Sequence, residues 1–233
     1  MKQPGGAVRL LTESDLVTSV VGWKPGTQGA GSLVNSKGWA LLRVVVQKVI
    51  DGRLKDLYDQ PLIVENAGSM VVCKAGDKVG LVQNYRFTAK RLLEAGADYV
   101  KRLNEEGRWD ELLEKLGEWQ WELPRGLSQV STETNLEKFV LETAKAEALE
   151  ESGFSVANAR VVGMVNANTT FFAHSQYVVA ADIVGRGESR PEALEILGKT
   201  RMFSARELRF LVDYHALQDG LTFASLALAG FHF

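Results

Sequence analysis

Three glutamates stand within the short stretch AEALEESGF, at Glu147, Glu150 and Glu151. Like charges three or four residues apart on a helix repel each other by roughly 0.2–0.5 kcal/mol per pair, so this clustering needs an explanation. At about 100° per residue, the three carboxylates share one helix face. The same face carries the apolar residues Leu136, Phe139 and Val140 nearer the beginning of the helix. The carboxylates therefore continue an apolar stripe.

A bound divalent cation would explain such partly buried carboxylates. Oxygen ligands at i, i+3 and i+4 suit the hard cations Mg²⁺ and Mn²⁺. The alternative is an ordinary acidic helix terminus that faces solvent. The spacing alone leaves both explanations open.

The elements that position these residues follow from hydrophobic periodicity. A helix is predicted from about Asn135 to Ser152, ended by Gly153. Before it, the chain from Trp39 to Arg86 is rich in β-forming residues and is interrupted by the turn sequences DGR and AGDK. The later stretch WELPRG is typical of a strand that ends in a turn.

The remainder of the chain alternates between strand and helix patterns. ARVVGMVNA, FFAHSQYVVAADIV and EALEIL are strand candidates, and SARELRFLVDYHAL and LTFASLALAG are predicted helices. Residues 88–118 predict two amphipathic helices, and the Gly- and Pro-rich residues 1–37 predict an irregular arm after a short element near residues 15–21. Together these patterns indicate a layered α/β or α+β core.

Composition limits the classes of function. The net charge of −2, without a long basic tract, does not favour binding of nucleic acid or of a membrane surface. The chain has no signal-peptide core and no apolar run of about 18 residues. Its single cysteine, Cys73, lies in an apolar run, where a buried thiol in a reducing compartment is expected. We therefore expect a cytoplasmic protein.

The stretch AEALEESGF resembles the second half of the Nudix box, whose family pattern is G-x5-E-x7-R-E-U-x-E-E-x-G-U with U apolar. The matching residues are Glu147, Glu150, Glu151, Gly153 and Phe154. VGLVQNYRF and WELPRG resemble the strands before the substrate site and before the box. EALEIL and QDGLTFASLALAG resemble the C-terminal part of the ADP-ribose pyrophosphatase branch.

The resemblance covers about residues 39–230 and implies a Nudix fold, an α+β fold built as an α/β/α sandwich on a mixed β-sheet. It implies a domain of residues 38–233 with a helical insertion at 88–118, after an N-terminal arm of residues 1–37. The implied reaction is Mg²⁺- or Mn²⁺-dependent hydrolysis of a nucleoside diphosphate sugar, with ADP-ribose as the best single guess. A homodimer is also implied.

The resemblance assigns metal binding to Glu147, Glu150 and Glu151, with Glu150 and Glu151 also catalytic. The backbone of Arg125 and Gly126 lies where the family often uses a carbonyl as a further metal ligand.

The resemblance also implies a general base and substrate-binding arginines. Glu192 is the nearest counterpart of the general base in this branch, with Glu188 and Glu195 as rivals and a solvated loop carboxylate as the plain alternative. Arg86 matches an arginine that contacts substrate, and Arg125 is a second substrate-binding candidate. For Arg86, the alternative is a structural role at a strand end.

Two positions depart from the box. Ala146 stands where the family has arginine, and Lys138 stands where the first glutamate belongs, with Glu137 one residue away. In the family this pair helps to orient the metal-binding glutamates. Either a different support replaces it, for example Lys145 or Glu142, or catalysis has been lost. A catalytically silent Nudix domain that binds a nucleotide, as a sensor or docking module, is therefore the second hypothesis.

The predicted helices at 88–118 are a further departure, because this branch normally passes quickly to the following strand. They suggest a lid or a dimer surface. Trp109, Trp119 and Trp121 either stack on a nucleotide base or pack in the core.

Overall fold

The structure is a computed structural model that describes residues 16–22, 33–34, 40–50, 53–64, 68–86, 102, 105–108, 117–127, 135–168, 172, 176–191 and 195–233. The chain divides into two compact units. One comprises residues 1–66 and 168–174, and the other comprises residues 67–167 and 175–233.

The first unit contains a four-stranded antiparallel sheet. Its strands are β1 (Leu16–Gly22), β2 (Leu33–Val34), β3 (Ala40–Ile50) and β4 (Arg53–Val64), and the other three all pair with β3. Strands β3 and β4 form a hairpin in which Ile50 is opposite Arg53, around the predicted DGR turn. Strand β1 coincides with the short element predicted near residues 15–21, whereas β2 lies in the segment predicted as an irregular arm. The predicted domain boundary after residue 37 stays a prediction.

The second unit contains a seven-stranded mixed sheet. Its strands are β5 (Gly68–Ala75), β6 (Lys78–Arg86), β7 (Glu118–Glu122), β8 (Arg125–Leu127), β9 (Phe154–Val165), β10 (Gln176–Arg186) and β11 (Leu197–Ser204). The order is β11-β6-β5-β10-β9, with β7 added to β6 and β8 added to β5. Strands β5 and β10 are parallel and the other pairs are antiparallel.

Helices cover both faces of this sheet. They are α1 (Leu136–Ser152), α2 (Ala205–Asp213) and α3 (Gly220–Leu228). Successive side chains of a strand point to opposite faces, so Val71 of β5 packs with Ala144 of α1. Its neighbour Met70 packs in a second cluster with Leu208 of α2 and Leu226 of α3. This arrangement confirms the predicted α/β/α sandwich.

The ends of α1 confirm the prediction from its capping residues. The side chain of Asn135 accepts a hydrogen bond from the backbone N–H of Lys138 at 3.0 Å. At the other end, Gly153 adopts φ +72°, a left-handed conformation that suits glycine, and its N–H donates to the carbonyl of Leu149. Asn135 therefore defines the beginning of α1, and Gly153 defines its end, directly after the acidic segment.

Other predicted boundaries differ from the structure. The β-rich chain from Trp39 to Arg86 was expected to turn at DGR and AGDK, but it is also divided where β4 ends at Val64 and β5 begins at Gly68. EALEIL was expected as a strand, whereas Ile196 lies outside regular structure with 46% of its surface exposed and β11 begins at Leu197. Residues 192–194 lie outside the described residues.

Most of the predicted helical insertion also lies outside the described residues. Within 88–118, the structure describes only residues 102, 105–108, 117 and 118, so its two helices stay a prediction. Among the described helices, none is long and apolar enough to cross a membrane.

Candidate active site

Glu151 is a buried carboxylate at the end of α1, with 2% of its surface exposed. Its Oε2 accepts a hydrogen bond from the backbone N–H of Arg125 in β8, at 2.9 Å. Burial raises the pKa of Glu151 to about 8, although the bond from Arg125 opposes the rise. The charges of Glu147 and Glu195 raise this pKa further, and the charge of Arg86 lowers it. Several charged groups therefore surround this carboxylate.

The carboxylate of Glu147 lies against the backbone of β8. A Cβ added to Gly126 would overlap Oε1 of Glu147 and would lie 2.7 Å from its Oε2. Only glycine leaves room for this approach. Glu147 and Glu151, four residues apart on α1, thus both reach the segment Arg125–Leu127.

The third glutamate of the cluster is placed differently. Glu150 is exposed, and its backbone carbonyl accepts a hydrogen bond from the N–H of Arg190 at 2.7 Å. The expectation that all three glutamates continue an apolar stripe is therefore wrong for Glu150. It is also wrong for Leu136, which is 52% exposed, whereas Val140 is buried as expected.

A chain of alternating charges lies beside Glu151. Arg86 donates from Nε to both carboxylate oxygens of Glu122, at 3.0 and 2.9 Å. Glu122 also pairs with a terminal nitrogen of Arg125 at 3.1 Å, and the other terminal nitrogen of Arg125 donates to Oδ2 of Asp219 at 2.9 Å. The same Oδ2 of Asp219, the N-cap residue of α3, accepts from the N–H and the hydroxyl of Thr222. The network joins strands β6, β7 and β8 to α3.

Both arginines proposed for substrate binding are thus engaged by protein carboxylates. The side chain of Arg86 remains 36% exposed, whereas that of Arg125 is 18% exposed and contacts Glu122 and Asp219. The Glu122 side chain is only 3% exposed, so loss of either arginine would leave a buried negative charge with fewer partners.

The candidates for general base are partly described. Glu192 lies outside the described residues. Glu188 is exposed, whereas the charge of Glu195 raises the pKa of Glu151 and therefore acts close to the site.

The proposed replacements for the missing box residues lie on the exposed surface of α1. Lys145 and Glu142 are both exposed on α1, and Glu142 pairs with Lys138 along the helix surface at 4.0 Å. The hydrogen bond from the backbone of Arg125 to Glu151 comes instead from the neighbouring strand β8.

Three further residues at this edge of the sheet were not identified from the sequence. Glu122 and Asp219 become visible only through their ion pairs with arginines distant in the chain. Gln176 is 6% exposed, and its Oε1 has no hydrogen-bond partner among the residues that the structure describes. A Cβ added to Gly68 would overlap this oxygen and lie 2.6 Å from the carbonyl oxygen of Gly126, so the two oxygens are neighbours. No local pattern marks a lone glutamine.

The oxygen-rich environment at β8 fits a divalent cation. Glu147 and Glu151 supply carboxylates, and the mutual repulsion of Glu147, Glu151 and Glu195 is the kind that a cation relieves. Within the described residues, no group of three or more His, Cys, Asp or Glu side chains already converges as a metal cage. Neutral oxygens, such as the unpartnered Oε1 of Gln176, are compatible with a partly hydrated Mg²⁺.

The tryptophans near the site make ordinary aromatic contacts. Trp121 packs edge-on against Phe203 at the core, with ring centroids 4.8 Å apart. Trp119 meets the edge of Tyr85 at 5.6 Å and is 44% exposed. Trp109 lies outside the described residues.

Comparison with known proteins identifies the fold. No protein-family profile and no curated protein sequence matches the chain. Among solved structures, it is similar to an ADP compounds hydrolase, with a TM-score of 0.56 and 14% identity over 85% of this chain and 88% of the other. A Nudix hydrolase from Nitrosomonas europaea has a TM-score of 0.45 and 16% identity over 72% of this chain and 91% of the other. The chain therefore shares the fold of the ADP compounds hydrolase, a mixed sheet between helices with the acidic helix α1 on one face, as the resemblance to the Nudix family implied.

Proposed function

We propose that this protein is a Mg²⁺- or Mn²⁺-dependent Nudix pyrophosphohydrolase. Its substrate is a nucleoside diphosphate sugar, with ADP-ribose as the best single candidate, which is cleaved to AMP and ribose 5-phosphate. The observation that carries the proposal is the meeting of Glu147 and Glu151 on the backbone of β8. The Glu151 carboxylate is buried there, and the last turn of α1 carries no basic residue.

Glu147 and Glu151 would hold the cation, together with the carbonyl oxygens of Arg125 or Gly126, and Glu150 would join them from the exposed side of α1. When bound, the cation neutralises charge on the phosphates and makes water a better nucleophile.

The charge network gives the site two guanidinium groups, each also paired with a protein carboxylate. The side chain of Arg86 is partly exposed, so its guanidinium is able to meet a phosphate oxygen while it remains paired with Glu122. The side chain of Arg125 lies deeper and contributes positive charge behind that contact. Together these residues favour a dianionic pyrophosphate over a neutral substrate.

A carboxylate must also accept the proton of the attacking water. We assign this role to Glu192. Glu195 is the alternative, because its charge raises the pKa of Glu151. The similarity to a solved ADP compounds hydrolase favours an adenosine diphosphate derivative within the substrate class.

A silent nucleotide-binding domain is the second candidate function. Ala146 and Lys138 replace the two box residues that support catalysis in the family, and Arg86 is already paired with a protein carboxylate. Binding of a nucleotide without turnover would favour this candidate.

The direct test is to incubate the purified protein with ADP-ribose, a nucleotide-sugar panel, dinucleoside polyphosphates and coenzyme A, with Mg²⁺ or Mn²⁺, and to separate the products by chromatography. Glu151→Gln removes the buried carboxylate, and Glu142→Gln is the matched control because Glu142 is an exposed glutamate on the same helix. Release of AMP and ribose 5-phosphate by the wild type and by Glu142→Gln, but not by Glu151→Gln, is the expected result. If every substrate stays intact with the wild type, the enzyme proposal fails.

The cellular setting completes the proposal. We place the protein in the cytoplasm, as a homodimer that binds neither nucleic acid nor membrane. Light scattering measures the assembly directly, and a monomer mass would contradict the dimer.

A further inference from the structure

The backbone N–H of Arg125 donates a hydrogen bond to the buried carboxylate of Glu151, at 2.9 Å. A hydrogen bond from the backbone orients a carboxylate only as well as the backbone itself is fixed. Strand β8 is three residues long, Arg125–Leu127, and pairs with β5 over that length. So short a strand needs additional restraint to hold one N–H in place.

The side chain of Arg125 supplies that restraint. One terminal nitrogen of its guanidinium pairs with Glu122 at 3.1 Å and the other with Asp219 at 2.9 Å. Glu122 belongs to β7 and Asp219 caps α3, so the guanidinium is held from two different elements. A planar guanidinium meets two such acceptors in a fixed geometry, which an ammonium does not.

The carboxylates on either side of Arg125 are themselves fixed. Glu122 also accepts two bonds from Nε of Arg86, and Oδ2 of Asp219 accepts from the N–H of Thr222 at 2.9 Å and from its hydroxyl at 2.7 Å. The hydroxyl of Thr222 in turn accepts from the N–H of Leu123, two residues before Arg125. The network is therefore hydrogen-bonded to the same segment, Leu123 to Arg125, that carries the N–H donated to Glu151.

We propose that Arg125 is a positioning residue for Glu151: its side chain, held between Glu122 and Asp219, fixes the backbone N–H that orients the Glu151 carboxylate towards the cation. The inference rests on the proposed function in that Glu151 is a metal ligand. It assigns to Arg125 a role that acts through Glu151 and not through contact with substrate.

The test measures binding of Mn²⁺ alone, by electron paramagnetic resonance of the free ion, so that no substrate is involved. Arg125→Lys is the decisive variant because it keeps the net charge but cannot bridge Glu122 and Asp219 in the same way. Residues that orient metal ligands typically change metal affinity by about 10- to 100-fold when they are substituted. We expect Arg125→Lys to weaken Mn²⁺ binding by about tenfold or more.

Two reference variants calibrate the result. Glu151→Gln removes the ligand and sets the size of a full loss. Ser204→Ala removes the N-cap of α2, a hydrogen-bonded position on another helix, and should leave Mn²⁺ affinity unchanged although it weakens that helix. A general loss of stability would lower affinity in both Arg125→Lys and Ser204→Ala, whereas positioning lowers it only in Arg125→Lys.

If Arg125→Lys does not fold, Asp219→Asn replaces it, because asparagine is an equally good N-cap for α3 but loses the charge that holds Arg125. Asp213→Asn removes an exposed carboxylate at the end of α2 and is its control for the loss of one negative charge.

The inference is overturned if Arg125→Lys, or its replacement, binds Mn²⁺ within twofold of its control while Glu151→Gln binds weakly. Wild type that binds Mn²⁺ but hydrolyses no substrate removes the proposed function and leaves the inference standing. Wild type that binds no Mn²⁺ removes both.

Discussion

A single methyl group at Gly126 should separate metal binding from folding. In Gly126→Ala, the new Cβ would overlap Oε1 and Cδ of Glu147 and lie 2.7 Å from Oε2. Side-chain Cβ atoms do not normally come closer than 3.0 Å to another heavy atom. The nearest carboxylate oxygen is more than about 1 Å inside that limit, so the Glu147 carboxylate must move by at least that amount.

The size of the effect follows from what has to move. The colliding atoms are the far end of a flexible, half-buried side chain, so a change of χ angles relieves the overlap without moving the backbone. Alanine also restricts the unfolded chain, which stabilises a compatible site by about 0.4–1 kcal/mol. We expect the free energy of unfolding to stay within about 1 kcal/mol of the wild type. A displacement of about 1 Å at a reacting centre lowers the rate by up to about 100-fold.

The assay compares three measurements on the same samples: unfolding in urea, Mn²⁺ binding, and hydrolysis of the best substrate from the panel. Gly185→Ala is the matched control, since it also lies in a strand and its added Cβ would come no closer than 3.5 Å to Ser155. Wild-type Mn²⁺ binding by Gly126→Ala would refute the placement of Glu147 as a metal ligand. A decrease of several kcal/mol in the free energy of unfolding would refute the argument that only the flexible Glu147 side chain has to move.

The remaining predictions concern the core and the helix ends. Gly80→Ala places a Cβ against the buried ring of Phe154, where it overlaps Cε2 and lies 2.9 Å from Cζ. This substitution should therefore lower the free energy of unfolding, measured in urea, by about 1–3 kcal/mol. An unchanged urea midpoint contradicts this prediction. Burial raises the pKa of Cys73 to about 12, so its thiol should stay unreactive towards a disulfide reagent at pH 8 and react fully in guanidinium; rapid labelling of native protein contradicts this. The backbone N–H and hydroxyl of Ser204 hold the pKa of Glu207 below its ordinary 4.5, so the capping box contributes above that pH and is lost as pH falls through the lower folded value. Carboxyl NMR titration should show the pKa of Glu207 rising part of the way towards 4.5 in Ser204→Ala, which removes the hydroxyl and keeps the backbone N–H; an unchanged value contradicts a contribution from the hydroxyl.

Elements with strong local signals were predictable from the sequence. Helix α1 has a capping asparagine at its beginning and a glycine at its end, and both act as the pattern indicates. The AGDK turn between β5 and β6 appears at Gly76, with φ +61°. In these cases the neighbouring residues alone decide the backbone conformation, so no knowledge of distant partners is needed.

Strand β11 shows where local patterns fail. Its sequence LGKTRMFS carries charged residues, and Phe203 is its one buried hydrophobic side chain. It is a strand because it pairs with β6 at the edge of the sheet, with Thr200 opposite Val82. The strand was predicted at EALEIL instead, which only reaches the first residue of β11, and its Ile196 is 46% exposed. Edge strands depend on tertiary pairing more than on their own composition.

The same distinction applies to the site. The spacing of Glu147 and Glu151 identified the acidic helix face, because an i, i+4 relation is fixed by the helix itself. The pairing of Arg125 with Asp219 spans 94 positions and depends on β8 lying beside the beginning of α3. That contact is a property of the assembled sheet and helices, and sequence spacing does not encode it. The group that orients Glu151 is therefore the backbone N–H of Arg125, on a strand outside the acidic helix. Because this support comes from outside the box, the absence of the two box residues does not by itself decide whether the protein is an enzyme.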